Sequence, residues 1–325
     1  MDRGYNSTAP QIAYNTLVSS TPCASTLSSG DSLSCLRALP FSIINKALNI
    51  STFGLTPFAP AIDGDLIATY PSSQLSSGAF VRVPLLIGTN SDEGTAFGSA
   101  YWPNSLMVNS DDEFLSVLNS TNLIPETSKT AAIIQYLYPN IQALGIPSFT
   151  TYPEVIEPNS TAANSVGLQY RRIAAYFGDI VVTAPRRASN IAWSTFNVPS
   201  YAYRFDVTVN GVPAITGATH FEEVAFVFDN TAGAGYATDP FAGTPISSLN
   251  LAKQMSRSWV AFITQLNPNM NGCRGANQWP IYNTSSGAGM DYVFTINGSS
   301  HAEEDTWRGE GIAFISDNAL GVYGR

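Results

Sequence analysis

Val83-Pro-Leu-Leu-Ile-Gly-Thr-Asn-Ser-Asp-Glu-Gly-Thr95 is an apolar run that opens into an acidic loop. Together with the preceding Phe80-Val-Arg it forms a continuous β-type stretch, Phe80 to Gly88. An apolar run of this length without alternation fits a strand buried on both faces, as in a parallel sheet. Glu93 then stands just past the C-terminal end of the strand, where the sites of open α/β sheets gather. A carboxylate at that place holds a histidine in one tautomer and stabilises its cation. The same residues also have a plainer use. Asp92-Glu93-Gly94-Thr95 is ordinary chemistry for the start of a helix, and Asp92 competes with Glu93 for any acid role.

Helical patterning follows this strand. Asp111 to Leu118 carries acids in its first turn, and Pro125 to Leu137 ends before Pro139. Gln169 to Phe177 and Pro185 to Trp193 read as two further helices, the second with Pro at its first position. Tyr201-Ala-Tyr-Arg-Phe-Asp206 alternates as a strand does, and Leu249 to Leu266 is the longest helical stretch, closed by Asn267-Pro268. Gly54 to Gly78, rich in Pro, Gly and Ser, reads as irregular surface chain. Strands alternating with helices predict an α/β layered architecture.

The chain has only two histidines. His220 lies in Gly217-Ala-Thr-His-Phe-Glu-Glu-Val224, between a small-residue loop and the apolar Val224-Ala-Phe-Val-Phe228. Histidine is the natural general base near neutral pH, although a surface or packed histidine fits the same position. Glu222 and Glu223 read as caps of the following helix, and His301, among Ser299-Ser300 and Ala302-Glu303-Glu304, as a solvated loop residue. Tyr101, Trp102, Phe221 and Phe226 are candidates to line a pocket, or plain core. No histidine pair at i, i+4 and no paired-cysteine motif occurs, so no metal is expected. Nor does a glycine loop of the phosphate-cradling kind occur, so no cofactor is expected either.

Composition narrows the class. The 325 residues are 44% hydrophobic, enough for a large core, but only 12% are charged, against about 25% in an average soluble protein. Net charge is −9, which argues against nucleic acid or an anionic membrane as partner. No run of about 18 apolar residues exists to form a transmembrane helix. Met1-Asp-Arg-Gly-Tyr-Asn lacks the basic start and apolar stretch of a signal peptide. Against that, sequons begin at Asn6, Asn49, Asn119, Asn159, Asn283 and Asn297, and Cys23 and Cys35 flank a short Ser/Gly-rich segment. A disulfide there, or two unrelated thiols, both fit, and Cys273 is left over. A secreted-type body without a leader predicts a missing front end.

Several stretches, in order, resemble the C-terminal part of the type-B carboxylesterase/lipase family, which includes fungal secreted lipases and cholinesterases. Val83 to Thr95 is similar to the family's acid loop, whose Glu falls on Glu93, and Gly217 to Phe228 to its histidine loop, which places the base on His220. Phe58-Ala-Pro-Ala-Ile-Asp-Gly-Asp65, Tyr176-Phe-Gly-Asp179, Ala184-Pro-Arg-Arg187, Tyr203-Arg-Phe-Asp206 and Trp279-Pro-Ile-Tyr282 also resemble family segments. The resemblance implies a Cys23–Cys35 disulfide.

It further implies an α/β-hydrolase fold over residues 1–325, C-terminal part only, with an incomplete central, mostly parallel sheet flanked by helices. The chemistry implied is hydrolysis of a small-molecule or lipid ester by a Ser-His-Glu triad in an extracellular protein. Residue order Ser, Glu, His suits this family, yet no G-x-S-x-G pentapeptide occurs anywhere in the chain. The expectation is therefore a fragment, lacking the nucleophile elbow and oxyanion loop and inactive alone. A catalytically dead, cholinesterase-like binding or adhesion module is the alternative.

Overall fold

The structure, a computed structural model, describes residues 8–49, 60, 62–96, 107–120 and 128–324. Its contacts divide the chain into two compact units, one running to Ser73 and the other from Gln74 to Tyr323.

The first unit holds the helices α1 (Thr8–Ser19), α2 (Ser32–Ala38) and α3 (Phe41–Leu48). Leu17, Val18, Cys23, Leu36 and Ala47 form its core. Cys23 and Cys35 are joined by a disulfide, with their Cα atoms 5.8 Å apart. Cross-linking so short a loop removes about 3 kcal/mol of disorder from the unfolded chain. Asp63 Oδ1 accepts the N–H groups of Asp65 and Ile67, an Asx turn around Gly64 at φ +77°. The boundary between units falls in α4 (Pro71–Ser77).

The second unit is built on a four-stranded mixed sheet in the order β1 (Leu85–Asn90), β2 (Ser200–Asp206), β3 (Met290–Thr295), β4 (His301–Glu304). The first three strands are parallel, with Asn90 opposite Phe205 and Phe205 opposite Phe294, and β4 runs antiparallel to β3. Around them lie α5 (Asp111–Ser120), α6 (Ser128–Leu137), α7 (Thr161–Val166), α8 (Tyr170–Gly178), α9 (Ala184–Thr195), α10 (Glu223–Val227), α11 (Ile246–Gln265) and α12 (Gly309–Asp317). This is the α/β arrangement that the alternating pattern predicts.

Period-two patterning sends alternate residues of β2 to opposite faces. Tyr201, Tyr203 and Phe205 pack with Leu251, Ala252 and Met255 of α11 and with Trp279, Tyr292 and Phe294. Ser200 faces the other way, within reach of Asn190 of α9. The rings of Tyr203, Trp259, Trp279 and Phe294 meet at centroid distances of 5.1–6.2 Å, mostly edge to face. Trp279 satisfies its indole N–H on Ala202 O at 2.8 Å. A second core joins α5, α6, α8 and α12 through Phe114, Leu118, Ile134, Ile173, Ile312 and Ile315.

Three expectations are corrected. The reading of Gly54 to Gly78 as irregular chain fails at Pro71–Ser77, which is the helix α4. The apolar run Phe80 to Gly88 does not form one strand buried on both faces. Pro84 has no N–H to donate, so the ladder begins at Leu85, and Phe80 instead stacks on Trp193, whose indole donates to Val83 O at 2.7 Å. Among the described residues β1 is the edge of the sheet, and Leu85 to Gly88 are only half-buried. His301 is exposed but belongs to β4, whose register on β3 supplies what its polar sequence does not. The predicted helices at Gln169 and Pro185 are both present, joined without a break by one π-helical turn, Asp179–Thr183.

A buried ion cluster ties α9 to β3 and to the segment after β4. Arg186 donates to Asp291 at 2.9 and 3.1 Å and to Asp305 at 2.6 and 3.2 Å, and Arg187 and Tyr282 also reach Asp305. All four charged groups are nearly excluded from solvent. Removing one member of such a group leaves bare charge in the interior. Arg186→Met is expected to lower the unfolding free energy by about 3–5 kcal/mol. A urea titration measures it, and a loss under about 1 kcal/mol would contradict a tightly paired cluster.

Candidate active site

The parallel pairing of β1 and β2 brings their C-terminal ends side by side, and the acid and histidine loops leave from there. Ser91 N–H donates to Phe205 O at 2.9 Å, and its hydroxyl to Asp206 Oδ1 at 2.7 Å. Asp92 then brackets the histidine loop twice: its N–H donates to Ala218 O at 3.0 Å, and its Oδ2 accepts Ala218 N–H at 2.9 Å. Thr95 Oγ1 lies 2.7 Å from Thr219 Oγ1. Gly217 sits at φ +62°, and a Cβ there would collide with the Asp92 carboxylate, so the close approach of the loops requires glycine.

Gly94 has the corresponding role against α8. A Cβ on it would strike the backbone of Ala174 and Gly178, so the loop rests directly on the helix. Gly94→Ala is expected to push the loop off α8 and lower the melting temperature by roughly 5–10 °C, on the scale of overpacked cores. An unchanged thermal melt would refute this contact.

Within this frame Glu93 Oε2 lies 2.6 Å from His220 Nδ1, while Glu93 Oε1 accepts the N–H of Asn90 at 2.7 Å. Glu93 is buried; the His220 side chain is 47% exposed, so the pair opens to solvent on the imidazole side. A carboxylate against Nδ1 places the ring proton there, and Nε2 then carries the basic lone pair. The hydrogen bond that His220 donates to Glu93 raises its affinity for a second proton. Of the two acids, Glu93 meets the imidazole and Asp92 meets a backbone amide.

Further carboxyls crowd the site. Burial pushes Asp92 up to about 7 and Glu222 up to about 9, and also raises Glu223. Glu223 Oε2 accepts from Asn90 Nδ2 at 2.7 Å. The reading of Glu222 and Glu223 as caps holds only loosely. They do begin α10, yet no side-chain cap bond forms there. Phe221, beside the histidine, is 60% exposed and sits at φ +80°, a strained backbone for a non-glycine residue. Phe226 is core at 1% exposure, whereas Tyr101 and Trp102 lie outside the described residues. Asn90 and Thr219 escaped the sequence reading, the former hidden as a polar residue at the end of an apolar strand.

Among the described residues no group of His, Cys, Asp and Glu is arranged to hold a metal ion, and no helix is long and apolar enough to cross a membrane. A buried carboxylate on an imidazole, past the C-terminal ends of parallel strands, is an arrangement that nucleophilic hydrolases use.

Comparison with known proteins agrees with that class. Residues 4–306 match the Carboxylesterase family, and the chain belongs to it. Secreted lipase 1 of Botryotinia fuckeliana is 25% identical over 96% of this chain and 49% of its own length. An inactive carboxylesterase-like protein, VdtD of Byssochlamys spectabilis, is 28% identical over 72% of this chain and 39% of its own. The fold is similar to that of the Aspergillus niger EstA crystal structure, with a TM-score of 0.67 and 21% identity, over 98% of this chain and 56% of that one. The chain spans about half the length of the curated relatives it matches.

Proposed function

We propose that this chain supplies the acid and base of a secreted carboxylic ester hydrolase, with Glu93 orienting His220 and His220 as general base. The observation that carries this is the 2.6 Å contact of Glu93 Oε2 with His220 Nδ1 at the C-terminal edge of a parallel strand pair. In the complete reaction a serine hydroxyl gives its proton to His220 Nε2 as its oxygen attacks the ester carbonyl. The imidazolium returns that proton to the departing alcohol, and water then releases the acyl group by the same path.

The 325 residues contain no G-x-S-x-G elbow. We assign the serine and the oxyanion amides to polypeptide outside them. The substrate class is a small-molecule or lipid ester. Asn49, Asn119, Asn159, Asn283 and Asn297 are all exposed, as N-glycan acceptors of a secreted protein must be, and Asn6 lies outside the described residues.

A second reading has one specific support, the likeness to a relative described as inactive. In that case the protein is a binding module that keeps the fold without the chemistry. Reading the 5′ end of the transcript and expressing its product separates the two. An in-frame G-E-S-A-G-G and phosphonate-sensitive hydrolysis of p-nitrophenyl butyrate, lost in His220→Ala, support the hydrolase. An upstream elbow without serine selects the binding module.

A further inference from the structure

We infer that Asn90 is a positioning residue for the acid–base pair, holding the acid loop and the histidine loop in one frame through three hydrogen bonds. The inference rests on the reading of Glu93 and His220 as acid and base. Its backbone N–H donates to Glu93 Oε1 at 2.7 Å, which fixes the carboxylate rotamer and turns Oε2 toward the imidazole. Its side-chain Nδ2 donates to Thr219 O at 2.6 Å, the carbonyl directly before His220, and to Glu223 Oε2 at 2.7 Å, at the start of the helix that follows His220. Two acceptors at one end of the amide leave no choice of which end carries nitrogen. One residue thus grips the carboxylate and both flanks of the histidine.

Two features favour a positioning role over simple packing. Asn90 is 2% exposed at the end of an apolar strand, where an aliphatic side chain would bury more favourably. Its Oδ1 has no hydrogen-bond partner among the described residues. A buried acceptor without a partner is costly, and packing alone gives no return for it. The two Nδ2 bonds do. They also hold the Glu223 carboxylate on the Asn90 amide.

The two histidines make the test direct, because His301, on the exposed β4, serves as internal reference. In the 325-residue chain, proton–carbon NMR follows both imidazoles against pH, and low-field proton spectra follow the Nδ1–H held by Glu93. Wild type is expected to show a His220 midpoint raised above the ordinary imidazole value, with a low-field proton. Asn90→Leu should lower the His220 midpoint by about 0.5–1 pH unit and abolish the low-field signal, leaving His301 unmoved. Asn90→Ser, which keeps one donor and less bulk, should fall between them. Glu223→Gln, which still accepts from Asn90, should move His220 less than Asn90→Leu.

If both Asn90 variants leave the His220 midpoint and the low-field proton as in wild type, the positioning role is overturned. An equal shift in Glu223→Gln also overturns it, because the effect would then be the charge of Glu223. Should neither Asn90 variant fold, the wild-type Asn90 side-chain amide protons decide: they should shift with the His220 titration, and their standing still refutes the coupling. A wild-type His220 with an ordinary imidazole midpoint and no low-field proton is a different failure, because it removes the acid–base pair itself.

Discussion

The purified 325-residue chain is expected to show no phosphonate-sensitive hydrolysis of p-nitrophenyl butyrate. The expectation follows from which parts of an acyl-transfer site are present. Glu93 and His220 can orient and accept a proton, but neither forms the acyl intermediate. Removing the nucleophile of a Ser-His-acid enzyme costs about 10⁶ in rate. Each lost oxyanion donor costs roughly 10²–10³ more. A half-exposed imidazole acting on its own gives only slow, saturation-free cleavage that a serine-reactive phosphonate does not touch. Saturable, phosphonate-sensitive turnover would mean that a serine within these residues serves as nucleophile, and the division of the triad proposed above would be wrong.

Stability is expected to be greatest in mild acid and to fall as pH rises toward 9. Burial makes Asp92 titrate at about 7 and Glu222 at about 9 in the folded chain, against ordinary values of 3.8 and 4.5. In the unfolded chain both lose their protons first, so the folded state binds more protons between pH 4 and 9, and its stability declines across that window. His220 slopes the same way. Its raised folded value gives stability that is complete below its unfolded value and is lost as pH climbs through the folded one. Glu222→Gln removes the largest of these terms. At pH 8 it should raise the unfolding free energy by about 2–4 kcal/mol, with little change at pH 4. Urea midpoints at the two pH values test this, and an equal effect at both would show that the Glu222 charge is not what matters.

Much of the architecture is legible in the sequence because its cues are local. The acids opening α5, the proline early in α9 and the Asn267-Pro268 stop after α11 sit where the helices begin and end. The rest depends on partners far along the chain. Met290-Asp-Tyr-Val-Phe-Thr295 is short and buried on both faces, so it shows no alternation, and His301-Ala-Glu-Glu304 reads as polar loop until β3 lends it a register. Proline and glycine around Asp179 suggest a gap between two helices, yet buried Asp179, held by Tyr138 and Arg308, sits in a π-turn that carries the helix through.

The candidate site divides in the same way. An acid past a strand end and a histidine on a small-residue loop are visible as residue types. Their 2.6 Å meeting, and the role of Asn90 between them, depend on which strand lies beside which, and no spacing in the sequence encodes that.

The contact between Glu93 and His220 joins residues 127 positions apart in the chain. Closing a loop of that length is slow and entropically costly, and it gives nothing until both strands are in register. The low-field proton of the imidazole therefore serves as a clock for folding. It should appear only after β2 has docked beside β1, later than the signals of α8 and α11, whose bonds are local. A refolding experiment that follows that one proton would time the moment at which the acid and the base first meet.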